Sequence, residues 1–219
     1  MSPGDGESAA ADVGAARAAA EARVRARHAD GDLEAATTQA LELYGPELFG
    51  FLQALARDDD TAAEAFSTFA EDLWKGLPRF RWESSLRTWA YALARNALHR
   101  VRRDPHRRAE RNVPLSDIDQ HPNLAAAVRS VTQPYLRTEI KDRFAALRDQ
   151  LDPDDHALLI LRIDRRMSWR DIARAMPLEG EGDDNAAVDR RAATLRKRFE
   201  RAKTQLRDLA TAHGILPRE

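Results

Sequence analysis

From Val188 to Leu209 the apolar side chains fall at Val188, Ala192, Leu195, Phe199, Ala202, Leu206 and Leu209, in alternating steps of four and three. Only an α-helix gathers such a series on one face. The same period begins near Leu33 and runs, with breaks, to Val101. Leu41, Leu48, Phe51 and Leu52 form one apolar set there, and Ala65, Phe66, Phe69, Leu73 and Trp74 another. No stretch alternates apolar and polar residues as a half-buried strand does. The pattern predicts an all-α protein, and 219 residues suffice for one or two small cores.

The breaks in periodicity suggest an order of units. Residues 1–31 are rich in alanine, with glycine and proline first and arginine later, and read as a disordered or nascent-helical leader with its helical tendency near Ala15–His28. Residues 32–103 form a first helical domain. Residues 104–134 carry Pro105, Pro114, Pro122 and Pro134 with few large apolar residues, and read as a flexible linker. A second helical domain spans 135–212, and 213–219 form a short tail.

Composition removes several chemistries. With no cysteine, disulfides, thiolate zinc sites and cysteine nucleophiles are excluded. The six histidines (His28, His99, His106, His121, His156, His213) lie apart, with no metal-ligand spacing, and neither a glycine-rich phosphate loop nor a nucleophile elbow is present. No cofactor is expected, and an enzyme is disfavoured. No apolar run approaches the ~20 residues that cross a bilayer, and the chain suits a reducing cytoplasm. Net charge is −1, but it is unevenly spread. Ten arginines face three acids between Arg79 and Arg111, and eight basic residues face Glu200 alone between Arg190 and Arg207. Six acids and no base lie between Asp58 and Asp72. Two basic zones and one acidic zone point to at least two kinds of partner surface.

The first basic zone opens with a loop, Phe80, Arg81, Trp82, Glu83 and Ser84, that mixes planar groups with hydrogen-bonding ones. Ser84 or Ser85 is placed to cap the helix that follows. On a helical wheel of Leu86–Arg103, the residues Leu86, Trp89, Ala90, Leu93, Ala97 and Val101 share the side expected to bury. Thr88, Tyr91, Arg95, His99 and Arg102 share the opposite sector, with Asn96 and Arg103 at its margin and Arg87 beside the loop. Such a face is either a solvated polar surface or one that stacks unpaired bases and pairs phosphates. Trp89 reads as core. In the acidic zone Asp60, Glu64, Ser67, Glu71, Asp72 and Trp74 recur on one helical side, either as a solvated face or as a docking stripe.

In the second domain Asp152 and Pro153 start a helix, and Ser168 with Asp171 starts another. The long helix that follows carries Arg190, Thr194, Lys197, Arg198, Arg201 and Thr204 opposite its apolar face. That stripe is either generic surface or a major-groove reader. The connection Pro177–Asn185 is long and acidic. It reads as a solvated insertion or as a segment that repels phosphate.

Leu77, Pro78, Arg79 and Phe80, then Glu83, Ser84 and Ser85, then Arg87, Thr88 and Trp89, and Ala94, Arg95 and Asn96 closely resemble the second conserved region of sigma-70 family factors of the extracytoplasmic-function (ECF) group. The helix-turn-helix of residues 137–207 resembles their fourth region, through Leu158–Ile163, Asp171 to Ala173, Thr194–Phe199, Arg201 and Ala202. The resemblance implies two helical domains, region 2-like and region 4-like. It implies a −10 element melted and held by the loop and helix, and a −35 element read by the last helix. It also implies core RNA polymerase as partner, through its clamp helices at about Thr61–Lys75 and through its flap. An anti-sigma factor is a common partner in the family, and no residue here identifies one. Two departures stand out: the family often carries glycine where Trp82 stands and glutamine near Ser67. A helix-turn-helix regulator that binds duplex DNA without polymerase explains residues 152–209 and leaves the aromatic loop without a purpose.

Overall fold

The computed structural model describes residues 5–103, 121–131, 146–177 and 180–216. Every regular element among them is helical: α1 (Asp5–Ala29), α2 (Leu33–Ala56), α3 (Asp59–Gly76), α4 (Leu86–Arg103), α5 (Pro122–Val131), α6 (Pro153–Leu159), α7 (Trp169–Ala175) and α8 (Asn185–Ala212). A 3-10 turn, Leu77–Arg79, leads from α3 toward α4, and a widened π-type turn, Ile160–Asp164, extends α6. The all-α expectation holds. None of the described helices is long and apolar enough to cross a membrane.

Side-chain caps fix the helix starts. Asp32, Asp58, Asp152, Ser168 and Asp184 each accept a hydrogen bond from a first-turn amide, the shortest being Thr61 N–H to Asp58 at 2.7 Å. Arg57, with φ 71°, turns α2 sharply into α3.

The N-terminal core lies between α2, α3 and α4. Leu41, Leu48, Phe51, Leu52, Ala65, Phe66, Phe69 and Leu73 are all buried, as their spacing predicts. Phe66 meets Phe49 edge-on at 5.5 Å and Phe69 at 5.5 Å. Such pairs add about 0.5–1.5 kcal/mol beyond the area they bury. Trp74 instead sits at the rim, tilted against His121 at 4.5 Å.

Two segments differ from their expected character. The leader forms the helix α1, packed on α2. Its alanines favour helix, but among its described side chains Val24 is the one fully buried large apolar residue, so a hydrophobic pattern had little to register. Polar anchors hold it: Glu21 and His28 both bond to residues beyond α2. The linker contains α5, docked on α2 through Leu124, Ala125, Ala127 and Val128. Gly45 makes room for it, since a Cβ there would lie 2.9 Å from a Val131 methyl. The rest of the linker, 104–120 and 132–134, lies outside the described residues.

In the C-terminal unit α6, α7 and α8 surround Leu158, Leu159, Ile172, Val188, Ala192, Leu195 and Phe199. Trp169 closes one end, edge-on to Phe199 at 5.4 Å and beneath Arg162 at 4.9 Å. This unit also packs on the first: α7 lies against α4, and α6 against α2.

His156 is 5% exposed among these apolar residues. Burial, opposed by Asp149 and aided by Arg148, pulls its pKa down to about 4. The unfolded imidazole binds a proton near pH 6.5 and the folded one does not. Stability is therefore complete above that range and declines as pH falls toward 4. Denaturant titrations at pH 7 and pH 4.5 should differ by roughly 2–3 kcal/mol from this residue, and His156→Gln should shrink the difference.

Candidate nucleic-acid interface

Helix α4 begins where two carboxylate or hydroxyl acceptors meet its free amides. Ser85, rather than Ser84, caps it by accepting from Thr88 N–H at 3.0 Å, while Ser84 donates to the Ser85 carbonyl at 3.2 Å. The Leu86 amide donates to Glu21 of α1 at 2.8 Å. The apolar side of α4 packs largely as its wheel predicts, with Leu86, Ala90, Ala97 and Val101 buried.

The opposite sector is not open. Tyr91 is 1% exposed, meets Phe51 edge-on at 5.1 Å and donates its hydroxyl to Glu47 at 2.9 Å. Its phenol is raised well above the ordinary range, by burial first and by the Glu47 charge second. Thr88 donates to Asp171 of α7 at 3.2 Å, and Arg95 to Asp154 of α6 at 2.6 Å. His99 lies 3.7 Å from the same Asp154 carboxylate, and Arg102 donates to the Leu55 carbonyl. Arg87 donates to Glu47 and, at 3.2 Å, to the Arg165 carbonyl. The wheel assigned this sector to solvent because it treated α4 alone. The end of α2 and the second domain cover it. Asn96 remains exposed.

Asp154 is held well below the usual carboxylate range by His99 first, and by Arg95 and Arg198 against the cost of burial. Burial would raise Glu47, but the Arg87 hydrogen bond and charge, with the Tyr91 hydroxyl, take it below its ordinary value. Both carboxylates are therefore charged and committed to the cations of α4.

The loop residues divide between two sides. Phe80 lies flat on Trp89, with ring centres 4.5 Å apart and planes 14° from parallel. Arg79, Arg81, Glu83, Ser84 and Thr88 line the same cleft of about 930 Å³, whose far wall is Arg174, Pro177, Asp183 and Asp184. Arg81 and Glu83 are well exposed and 3.9 Å apart. A half-buried aromatic floor flanked by exposed guanidinium groups can stack a base and hold its phosphate. Trp82 points the other way, into contact with α1: its indole N–H donates to His28 at 3.3 Å. Trp89, read as core, is half-buried and forms part of the cleft floor. Gly76 lets it do so, because a Cβ there would stand 2.9 Å from the Trp89 ring.

Residues 40–109 match the family model of sigma-70 region 2. That match covers about a third of the chain, and the similarity is this segment's alone. Comparisons with curated proteins and with solved structures found no match. The matched stretch runs from Ala40 in α2 through α4. The C-terminal helical unit lies outside it.

Within region 2, the acidic stripe is partly committed. Asp60 is exposed, and Glu64, Ser67, Glu71, Asp72 and Trp74 are half-buried. Asp72 pairs with Arg100 of α4, and Glu71 lies 3.7 Å from Lys75. Asp58 caps α3, and Asp59 accepts from Gln53 at 3.1 Å.

On α8, Arg190, Thr194, Lys197, Arg201 and Thr204 are exposed along one side. Arg198 does not join them. It is turned onto Asp155 and Asp152 at the start of α6, the latter at 2.6 Å, and braces the two helices. The acidic connection is not merely solvated. Arg191, 2% exposed, donates to the Gly182 carbonyl at 2.9 Å, the Ala173 carbonyl at 2.8 Å and Glu181 at 2.9 Å. Leu178 and Glu179 lie outside the described residues.

The sequence reading missed Trp89 in the cleft, and Glu21, Arg25 and His28 behind the loop. The spacing of the last three, four then three, was the available signal. Gly76→Ala should push Trp89 off its seat and cost about 1–3 kcal/mol of stability, seen in denaturant melts with a changed near-UV tryptophan spectrum. Asp154→Asn leaves Arg95 nearly buried beside a neutral partner. Amide exchange should then quicken in α6 and the last turns of α4, while α3 stays protected.

Proposed function

We propose that the chain is an ECF-type sigma factor. It binds core RNA polymerase through the clamp helices at the α3 stripe and the flap at the C-terminal unit. It recognises −10 and −35 promoter elements and holds the melted −10 strand. The observation that carries this reading is the Phe80–Trp89 stack beside Arg79 and Arg81, inside the segment that matches region 2. The exposed Arg190, Thr194, Lys197, Arg201 and Thr204 of α8 supply the duplex-reading stripe, with both threonine hydroxyls donating to their own helix and still able to accept. Cytoplasmic action with polymerase and promoter DNA follows from the reading, with an anti-sigma factor as a candidate regulator.

Strand capture along Thr88 and Arg95 requires the C-terminal unit to leave α4, because Asp171 and Asp154 now occupy those donors. Docking of the two units at separate promoter elements supplies that separation. Until then Asn96 and the cleft residues Phe80, Arg81, Glu83, Ser84 and Trp89 are the accessible part of the −10 surface, while Arg87, Tyr91, His99 and Arg102 act as its support.

Transcription with purified core polymerase on a genomic DNA library tests the reading. Discrete start sites preceded by shared −10 and −35 sequences are expected, and none should arise from core polymerase alone. Phe80→Ala and Trp89→Ala should each lower open-complex formation by the equivalent of about 1–3 kcal/mol while leaving upstream duplex protection intact. Specific duplex binding without polymerase and without start sites would instead identify a stand-alone regulator.

A further inference from the structure

One face of α1 addresses the loop from behind. Glu21, Arg25 and His28 lie four and three residues apart, and each contacts the segment between Leu77 and Leu86. Glu21 accepts from the Leu86 amide at 2.8 Å with one oxygen and from the Tyr44 hydroxyl at 2.5 Å with the other. His28 spans the loop. The Leu77 carbonyl, 2.8 Å from Nε2, can only accept, and the Trp82 indole N–H, 3.3 Å from Nδ1, can only donate. Both contacts are met by one neutral tautomer, with its proton on Nε2. Arg25 places its guanidinium 5.3 Å from the centre of the Trp82 ring.

These contacts converge on a strained residue. Trp82 has φ 59°, the left-handed region that costs a bulky L-residue roughly 1–3 kcal/mol. Such a backbone persists only where its surroundings over-determine it. Around Trp82 those surroundings are His28 and Arg25 on one side and Phe80, at 4.9 Å, on the other. Phe80 is in turn the ring that stacks on Trp89 in the cleft. A chain of contacts therefore runs from α1 through Trp82 to the aromatic floor.

We propose that His28, with Arg25, is a positioning residue for −10 strand capture. It holds Trp82 in the left-handed conformation, and so sets the tilt of Phe80 and the spread of Arg81 and Glu83 at the cleft. The inference rests on the sigma-factor reading above, and it assigns α1 a role in promoter melting although neither residue meets DNA. Two features separate this from general support. Glutamine at position 28 can donate its amide to the Leu77 carbonyl and accept from the indole with its oxygen. Glycine at position 82 adopts a left-handed backbone without strain, so it should make residue 28 dispensable.

The experiment uses the full chain with core polymerase on a promoter mapped as above. Open complexes are read by permanganate reactivity of −10 thymines, with core-polymerase affinity and thermal melting measured in parallel. His28→Ala should lower open-complex formation about fivefold to tenfold, the equivalent of one lost hydrogen bond, with unchanged core affinity. His28→Gln should recover most of it. Arg25→Ala, at an exposed position, should lower it about twofold to fivefold and avoids any folding defect that His28→Ala brings. In the Trp82→Gly background His28→Ala should have no further effect. Wild-type open-complex formation by His28→Ala and Arg25→Ala, or an equal His28→Ala loss with and without Trp82, overturns the positioning role. Failure of the wild-type chain to open any promoter overturns the sigma-factor reading and this inference with it.

Discussion

One carboxylate on α2 ties the structure together. Glu47 accepts from Arg87 and Tyr91 of α4 and lies 3.7 Å from Arg17 of α1. Its own backbone carbonyl accepts from Arg165, at the turn into α7, at 3.2 Å. Four segments distant in sequence thus meet at one residue. In a half-buried setting such a charge is costly unless fully paired, and here burial would raise its pKa while its partners lower it. The cost makes the arrangement specific: any packing of α4 that leaves Glu47 or Arg87 unpaired is penalised by both groups.

That pairing also explains how a helix rich in cations stays packed on two sides. Arg87, Arg95 and Arg102 each bury part of an aliphatic stem and deliver the guanidinium to an acceptor on another element. For Arg95 the acceptor is a carboxylate of the C-terminal unit, the kind of group that a nucleic-acid phosphate resembles in charge and geometry. The Arg95 Nε finds no acceptor among the described residues, so its donor capacity is not exhausted by Asp154. In the strand-capture state proposed above, Arg95 would exchange Asp154 for a phosphate without rebuilding α4. The exchange is between acceptors of similar charge, so its balance rests on geometry and on salt rather than on large differences in burial.

The helices, their caps and the inner faces of α2, α3 and α8 were legible because they depend on local rules. Asp152 beside Pro153, Ser168 before Asp171, and Leu41, Leu48, Phe51 and Leu52 need only helical spacing to be read. What escaped depends on contacts between elements distant in sequence. Tyr91 occupies a polar sector of its wheel, yet α2 covers it; Arg198 falls on the cationic stripe, yet the Asp152–Asp155 turn captures it. Trp82 turned toward α1 where its backbone is left-handed, and Trp89 reached the cleft where Gly76 leaves room for its ring. No periodicity encodes either placement. Helix α1 escaped for a different reason: its anchors are a carboxylate, a guanidinium and an imidazole, and hydrophobic patterning does not weigh them.

The acidic connection before α8 shows how far local charge misleads. Counted along the chain, Glu181, Asp183 and Asp184 form a patch that would repel phosphate. In place, Asp184 is spent on the first amides of α8, and Glu181, with Asp183 at 3.7 Å, flanks the guanidinium of Arg191. Arg191 is nearly sealed, and carbonyls of both α7 and the connection satisfy it. Deleting the connection would therefore strand a buried cation, at a cost of several kcal/mol, and would shift α8 relative to α7. The connection belongs to the frame that orients the exposed stripe of Arg190, Thr194, Lys197, Arg201 and Thr204. Its negative charge is the complement of a buried arginine.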